Sequence, residues 1–114
     1  MLIRQILLSK NIVFKEEWTD NGKCKNPETD GILRFDFYLP KYNCCIEYDG
    51  EQHFQANGGY YTEDFVAKVK ERDNVKNQYC KNNNIRLIRI PYIDFSQIDF
   101  NYLEEKGVFN GESI

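Results

Sequence analysis

ILRFDFYLPKYNCCIEYDG, residues 32 to 50, reads as two strands joined by a turn, and it decides the fold. From Leu33 onward apolar and polar residues alternate. Leu33, Phe35 and Phe37 are expected to face one way, and Arg34, Asp36 and Tyr38 the other. Residues 40 to 43 supply a tight turn, and CCIEYD, residues 44 to 49, returns as the antiparallel partner. Glu47 and Asp49 lie two residues apart, so on a strand they project from the same face. Across that turn Asp36 falls roughly opposite Glu47. Like charges facing each other across a hairpin repel and cost stability unless a cation sits between them. A divalent, oxygen-preferring ion such as Mg²⁺ would resolve the conflict. The plainer reading of Asp36 is a surface charge on the solvent face of the hairpin.

Working outward, residues 2 to 9, LIRQILLS, place Leu2, Ile3, Ile6 and Leu7 on one helical stripe, with Leu8 as a further candidate for it. IVFKEEW, residues 12 to 18, reads as a short strand, and residues 20 to 31 form a loop or hairpin connection rich in turn formers. After a loop at 55 to 60, the longest helix is expected from about Thr62 to Asn82. Thr62 is its N-cap, with Glu63 and Asp64 in the first turn. Phe65, Val66, Val69, Tyr79 and Cys80 mark its apolar face. IRLIRI, residues 85 to 90, suits a central strand halted by Pro91, and a final helix is expected between Phe95 and about Lys106. This order predicts one α/β domain over residues 1–114: an α/β/α arrangement with a central mixed four-stranded sheet flanked by helices.

The bulk composition narrows the function classes. A 41% hydrophobic and 15% aromatic content in 114 residues suits one folded core rather than disorder. No apolar run is long enough to span a bilayer, and MLIRQILLSK lacks the apolar core and cleavage site of a secretory signal. A cytoplasmic, reducing location and no membrane partner are therefore expected. Four cysteines, Cys24, Cys44, Cys45 and Cys80, lack zinc-knuckle spacing and are expected to be reduced and to act as small apolar residues. Adjacent Cys44 and Cys45 should point to opposite faces of the sheet.

The formal charge of −3 argues only weakly against a nucleic-acid partner. Between Lys68 and Arg89 the balance reverses, with seven basic residues against Glu71 and Asp73. Lys68, Arg72 and Lys76 recur every four residues on the long helix, a spacing that suits phosphate contacts and equally a solvated face.

His53, the only histidine, follows Asp49 by four residues, just past Gly50. A lone histidine is commonly a surface or packing residue. At this position it can also hang over an ion and act as general base on a water. Asp73 falls four residues after Val69, beside the apolar face of the long helix. Pairing with His53 would account for it; an ion pair with Lys70 or Lys76 is the plainer alternative.

Taken together, LRFDFYLP, CIEYDGEQHF, ERD in the long helix and NIRLIRIPY resemble the very-short-patch-repair endonuclease branch of the PD-(D/E)XK nuclease superfamily. That branch includes the homing-type nucleases with an EDxHD motif. The resemblance runs from Ile3 to Tyr92 and implies a restriction-endonuclease-like fold. It also implies that Asp36 is a direct metal ligand, and Glu47 a ligand or ligand support, with the carbonyl of Tyr48 beside them. Glu47-Tyr48-Asp49 stands where the superfamily has acid-X-lysine, so Asp49 replaces the usual lysine. His53 matches the histidine that activates water, and Asp73 the helix aspartate that orients it. The family pattern has a further glutamate three residues before the position of Ile3, which would precede Met1; a trimmed chain or one starting at an internal methionine, substitution by Glu16 or Glu17, and lost activity are the three readings open at this point.

The implied activity is Mg²⁺-dependent hydrolysis of DNA phosphodiesters, with Mn²⁺ as a substitute ion, of phage, mobile-element or DNA-repair type. Double-stranded DNA is the expected partner, with a separate recognition domain or a second subunit. The competing reading is a nuclease-fold module that binds DNA or a protein without cleaving.

Overall fold

The hairpin lies at the centre of a four-stranded sheet. In the computed structural model, which describes residues 2–50 and 62–110, β1 spans Lys15–Trp18, β2 Phe35–Leu39, β3 Cys44–Asp49 and β4 Arg86–Pro91. β1, β2 and β3 pair antiparallel in succession, whereas β3 and β4 are parallel, so the sheet is mixed. Parallel neighbours require a crossover, which is supplied by α2, Glu63–Asn82. Helix α1, Leu2–Ser9, precedes the sheet, and α3, Phe100–Glu105, follows it.

Both faces of the sheet are covered. On one, Ile3 and Leu7 of α1 and Leu103 of α3 pack with Phe37, Ile46 and Ile90. On the other, Cys80 of α2 packs with Phe35, Cys45, and with Cys24 and Leu33 from the segment between β1 and β2. Cys44 belongs to the first face and Cys45 to the second, as expected for neighbours on a strand. All four thiols are reduced and buried. The expected α/β class with a mixed four-stranded sheet and flanking helices therefore holds.

Local chemistry sets the joints. Between β2 and β3 the chain makes a 3₁₀ turn, Pro40–Tyr42, closed by Asn43 at φ 48°, a left-handed conformation that asparagine tolerates. Tyr38 Oη donates to Asn43 Oδ1 at 2.8 Å, and Asn43 Nδ2 donates to Asn84 O at 2.9 Å, tying the hairpin to the end of α2. At the start of α2, Thr62 Oγ1 accepts from Phe65 N at 3.0 Å, the predicted cap.

Four expectations are corrected. The alternation of Leu33, Phe35 and Phe37 breaks: the first two pack toward α2 and Phe37 toward α1 and α3. The β2–β3 ladder ends at the pair Phe37 and Ile46, and beyond it Asp36 Oδ2 takes the Tyr48 N–H at 2.8 Å. The strand leaves its regular pleat there, and with both faces covered either one accepts a phenylalanine. Second, among the described residues β4 is an edge strand, paired there with β3; an edge position is where a terminal Pro91 is tolerated.

Third, the final helix is interrupted. A 3₁₀ segment, Tyr92–Gln97, comes first, and α3 starts anew where Asp99 Oδ1 accepts from Tyr102 N at 2.7 Å. Fourth, Phe65 is 41% exposed rather than part of the core. Among the described residues no helix is long and apolar enough to cross a membrane.

Candidate functional site

Just beyond the last ladder pair, Phe37 with Ile46, Asp36 and Glu47 come together on the side covered by α2. Both line a cavity of about 380 Å³, with Arg34 and Tyr48 from the hairpin side and Arg72, Asp73 and Lys76 from α2. Glu47 and Asp49 are the buried charged residues of the described structure, each 6% exposed. Buried carboxylates need compensation, and α2 and β4 provide it. Lys76 Nζ lies 2.7 Å from Glu47 Oε1, and Arg89 Nη1 lies 2.9 Å from Asp49 Oδ1.

Compensation at Glu47 is incomplete. Burial pushes its carboxyl up to about 7, Lys76 opposes the rise, and the adjacent Asp36 carboxylate adds to it. The Asp36 carboxylate adjoins that of Glu47 in the same cavity. The fold thus brings together the two like charges that the hairpin reading placed opposite each other, and the energetic conflict is present in the structure.

The other predicted residues separate into groups. Asp73 faces Arg89: its carboxylate lies 3.5 Å from Nη1, and its main-chain carbonyl accepts from Nη2 at 3.2 Å. Neither lysine of the plainer alternative, Lys70 or Lys76, is the partner seen there. Arg89 Nε also donates to Asn77 Oδ1 at 3.0 Å, so one guanidinium links Asp49, Asp73 and Asn77. His53 lies outside the described residues. Tyr48 gives its N–H to Asp36, and its hydroxyl reaches Tyr92 O at 3.5 Å. Glu16 pairs with Arg4 at 2.9 Å and shares a ladder position with Phe37, on the face away from Asp36. As a substitute acid for the site it is therefore misplaced.

The three basic residues spaced along α2 have three different environments. Lys68 is exposed beside Asp64 at 3.4 Å, Arg72 is exposed at the cavity, and Lys76 is drawn in to Glu47. Arg34 and Arg89 were not singled out by the sequence reading, and Lys76, offered there as a partner of Asp73, pairs with Glu47 instead. Arg89 alternates with Leu87 on the α2 face of β4, and a charge on that otherwise apolar face was the available signal.

A divalent cation can be tested against the donor set. Asp36 Oδ2 and Glu47 Oε1 have hydrogen-bond donors, which leaves one oxygen of each carboxylate without a donor among the described residues. Mg²⁺ typically takes one or two carboxylates and fills its remaining positions with waters and substrate phosphate. Two adjacent carboxylates whose mutual repulsion Lys76 relieves only in part fit that demand. Among the described residues no group of three or more His, Cys, Asp or Glu side chains is gathered to hold a metal.

Comparison with known proteins identifies viral relatives. Over 94 residues the chain is 32% identical to the uncharacterized protein 307L of Invertebrate iridescent virus 6, covering 75% of this chain and 48% of that protein. It is 32% identical over 69 residues to the uncharacterized protein 033L of Invertebrate iridescent virus 3, covering 60% of this chain and 36% of that one. It is 33% identical over 69 residues to the uncharacterized protein 094L of Frog virus 3 (isolate Goorha), covering 59% and 44%. The chain spans less than half the length of each of these relatives. No family model and no solved structure matches it.

Proposed function

We propose that this chain is a metal-dependent endodeoxyribonuclease domain with a restriction-endonuclease-like fold, related to the very-short-patch-repair branch of the PD-(D/E)XK superfamily. The observation that carries the reading is the carboxylate pair. Asp36 and Glu47 are held together in a cavity, at an energetic cost that the chain's own Lys76 does not cancel. Such a cost is commonly retained where a site needs it. Asp36 and Glu47 would hold Mg²⁺ or Mn²⁺, with the Tyr48 carbonyl as the further ligand that the resemblance implies. When bound, the ion polarises the scissile phosphate and offsets charge developing in the transition state.

The chain's own residues do the rest. His53 takes the proton of the attacking water, as the resemblance implies, and Asp73 orients it. Arg89 fixes Asp73 and Asp49 in turn. Lys76 holds Glu47 in place and keeps its carboxylate from being bare.

Supercoiled plasmid incubated with the protein and Mg²⁺ tests this directly. The wild type should convert it to nicked or linear product, and Asp36→Ala and His53→Ala should not. Conversion that survives in Asp36→Ala would refute the assignment. One observation favours the second reading, a DNA-binding module without cleavage: Lys76 already occupies one oxygen of Glu47. That reading predicts DNA binding with no conversion in any metal.

A further inference from the structure

Two guanidinium groups at the cavity are not neutralised by any of the described residues. Lys76 is committed to Glu47, and Arg89 to Asp49 and Asp73. Arg34, from the lead-in to β2, and Arg72, from α2, line the same cavity, and neither has a hydrogen-bond or ion-pair partner among the described residues. Both are exposed. Two arginines from different elements beside a carboxylate pair suit an extended anion such as consecutive backbone phosphates.

A second cavity, of about 410 Å³, shares Arg72 and Phe65 with the first. Phe65 and Arg72 are seven residues apart, two turns of α2, so both project toward the same side of the helix. The far wall is the turn-rich arm between β1 and β2, which closes on itself through the bridge of Lys25 and Ile32. Asn26, Glu28 and Thr29 of that arm line the second cavity, opposite Lys68 and Glu71 of α2.

The chemistry of the two cavities differs. In the second, Lys68 is drawn to Asp64, while Glu28 and Glu71 lie side by side, so a phosphate is disfavoured there. Asn26 Oδ1 and Thr29 Oγ1 already accept N–H groups of their own turn, leaving the amide NH₂ and the hydroxyl as donors. An aromatic ring, neutral donors and carboxylate acceptors suit the face and edge of a nucleobase. A base within an intact duplex presents neither its face nor its pairing edge.

We propose that the substrate is a DNA strand carrying an unpaired nucleotide. Its backbone is gripped by Arg34 and Arg72 over the carboxylate pair, and the neighbouring unpaired base enters the second cavity against Phe65. This deepens the nuclease reading and rests on it for the position of the scissile phosphate.

The test is fluorescence anisotropy of the wild-type chain in EDTA, which prevents metal-dependent cleavage. The probes are one labelled oligonucleotide as a single strand, as a perfect duplex, and as a duplex with one bulged nucleotide. Single-strand and bulged probes should bind roughly tenfold tighter than the perfect duplex, the scale of one stacked base. Phe65→Ala should abolish that preference and Phe65→Trp should keep it, which separates stacking from damage to the fold. Arg34→Ala and Arg72→Ala should weaken all probes alike and flatten the salt dependence.

Equal affinity for paired and unpaired probes, or a preference untouched by Phe65→Ala, would overturn the proposal. Plasmid cleavage in Mg²⁺ combined with equal affinities removes this inference and leaves the nuclease reading intact. A Phe65-dependent preference with no cleavage of any DNA removes catalysis and supports the base pocket.

Discussion

Glu47→Gln should stabilise the metal-free protein at alkaline pH while disabling it. In the folded chain the Glu47 carboxyl titrates at about 7 against an ordinary 4.5, chiefly because it is buried and secondarily because Asp36 adjoins it, with Lys76 opposing. The sign follows from proton binding. At pH values below 4.5 the carboxyl is protonated in both folded and unfolded chains and contributes nothing. Between 4.5 and about 7 the unfolded chain has released the proton while the folded one retains it, so stability falls as pH rises.

Above that window the penalty is complete. At 1.36 kcal/mol per pKa unit it amounts to roughly 3 kcal/mol. Glutamine reproduces the protonated shape and avoids the penalty. Urea unfolding of wild type and variant, in EDTA, should show the variant more stable by roughly 2–3 kcal/mol near about pH 8 and equal near about pH 4. A destabilised variant at the higher pH, or the same difference at both, would mean that ionised Glu47 carries no burial penalty in the folded chain. A substitution that stabilises the fold and removes activity is the behaviour of a residue kept for function.

Three further outcomes follow from the same contacts. Arg86 donates to the carbonyls of Gly107, Val108 and Tyr42, and so holds the end of α3 to the sheet; Arg86→Ala should cost about 2–4 kcal/mol in urea unfolding. Arg89→Met strips the guanidinium from the buried Asp49 carboxylate and should cost about 3 kcal/mol, partly recovered in the double variant with Asp49→Asn. A recovery of zero would contradict the pairing. All four thiols are buried, with Cys24 and Cys44 pushed up to about 11 by that burial, so Ellman's reagent should label none in the native chain and four after unfolding.

Strand parity made half of the site legible. On a strand, two residues restore the same face, so Glu47 and Asp49 were placed together, and Asp36 opposite Glu47, from spacing alone. The helix contribution was not legible in the same way. Steps of four residues overshoot the 3.6-residue turn by about 40°, so from Lys68 to Lys76 the side chain rotates by about 80°. That carries it from solvent to the buried carboxylate, and one spacing held three environments. Which face α2 covers is set by the crossover and the core, not by the helix sequence alone. The alternation around Asp36 misled for a related reason: with helices on both sides, an apolar residue does not identify its face.

If a divalent cation is the reason that Asp36 and Glu47 are held together, the wild-type chain should bind one and lose it with either carboxylate. Isothermal titration of the wild-type chain with Mn²⁺ at about pH 8, where the Glu47 carboxyl is ionised in the free protein, measures that binding most directly. One ion per chain should bind to the wild type, and Asp36→Ala and Glu47→Gln should each lose it while remaining folded by circular dichroism. Binding that is undiminished in either variant, or absent from the wild type, would contradict the account.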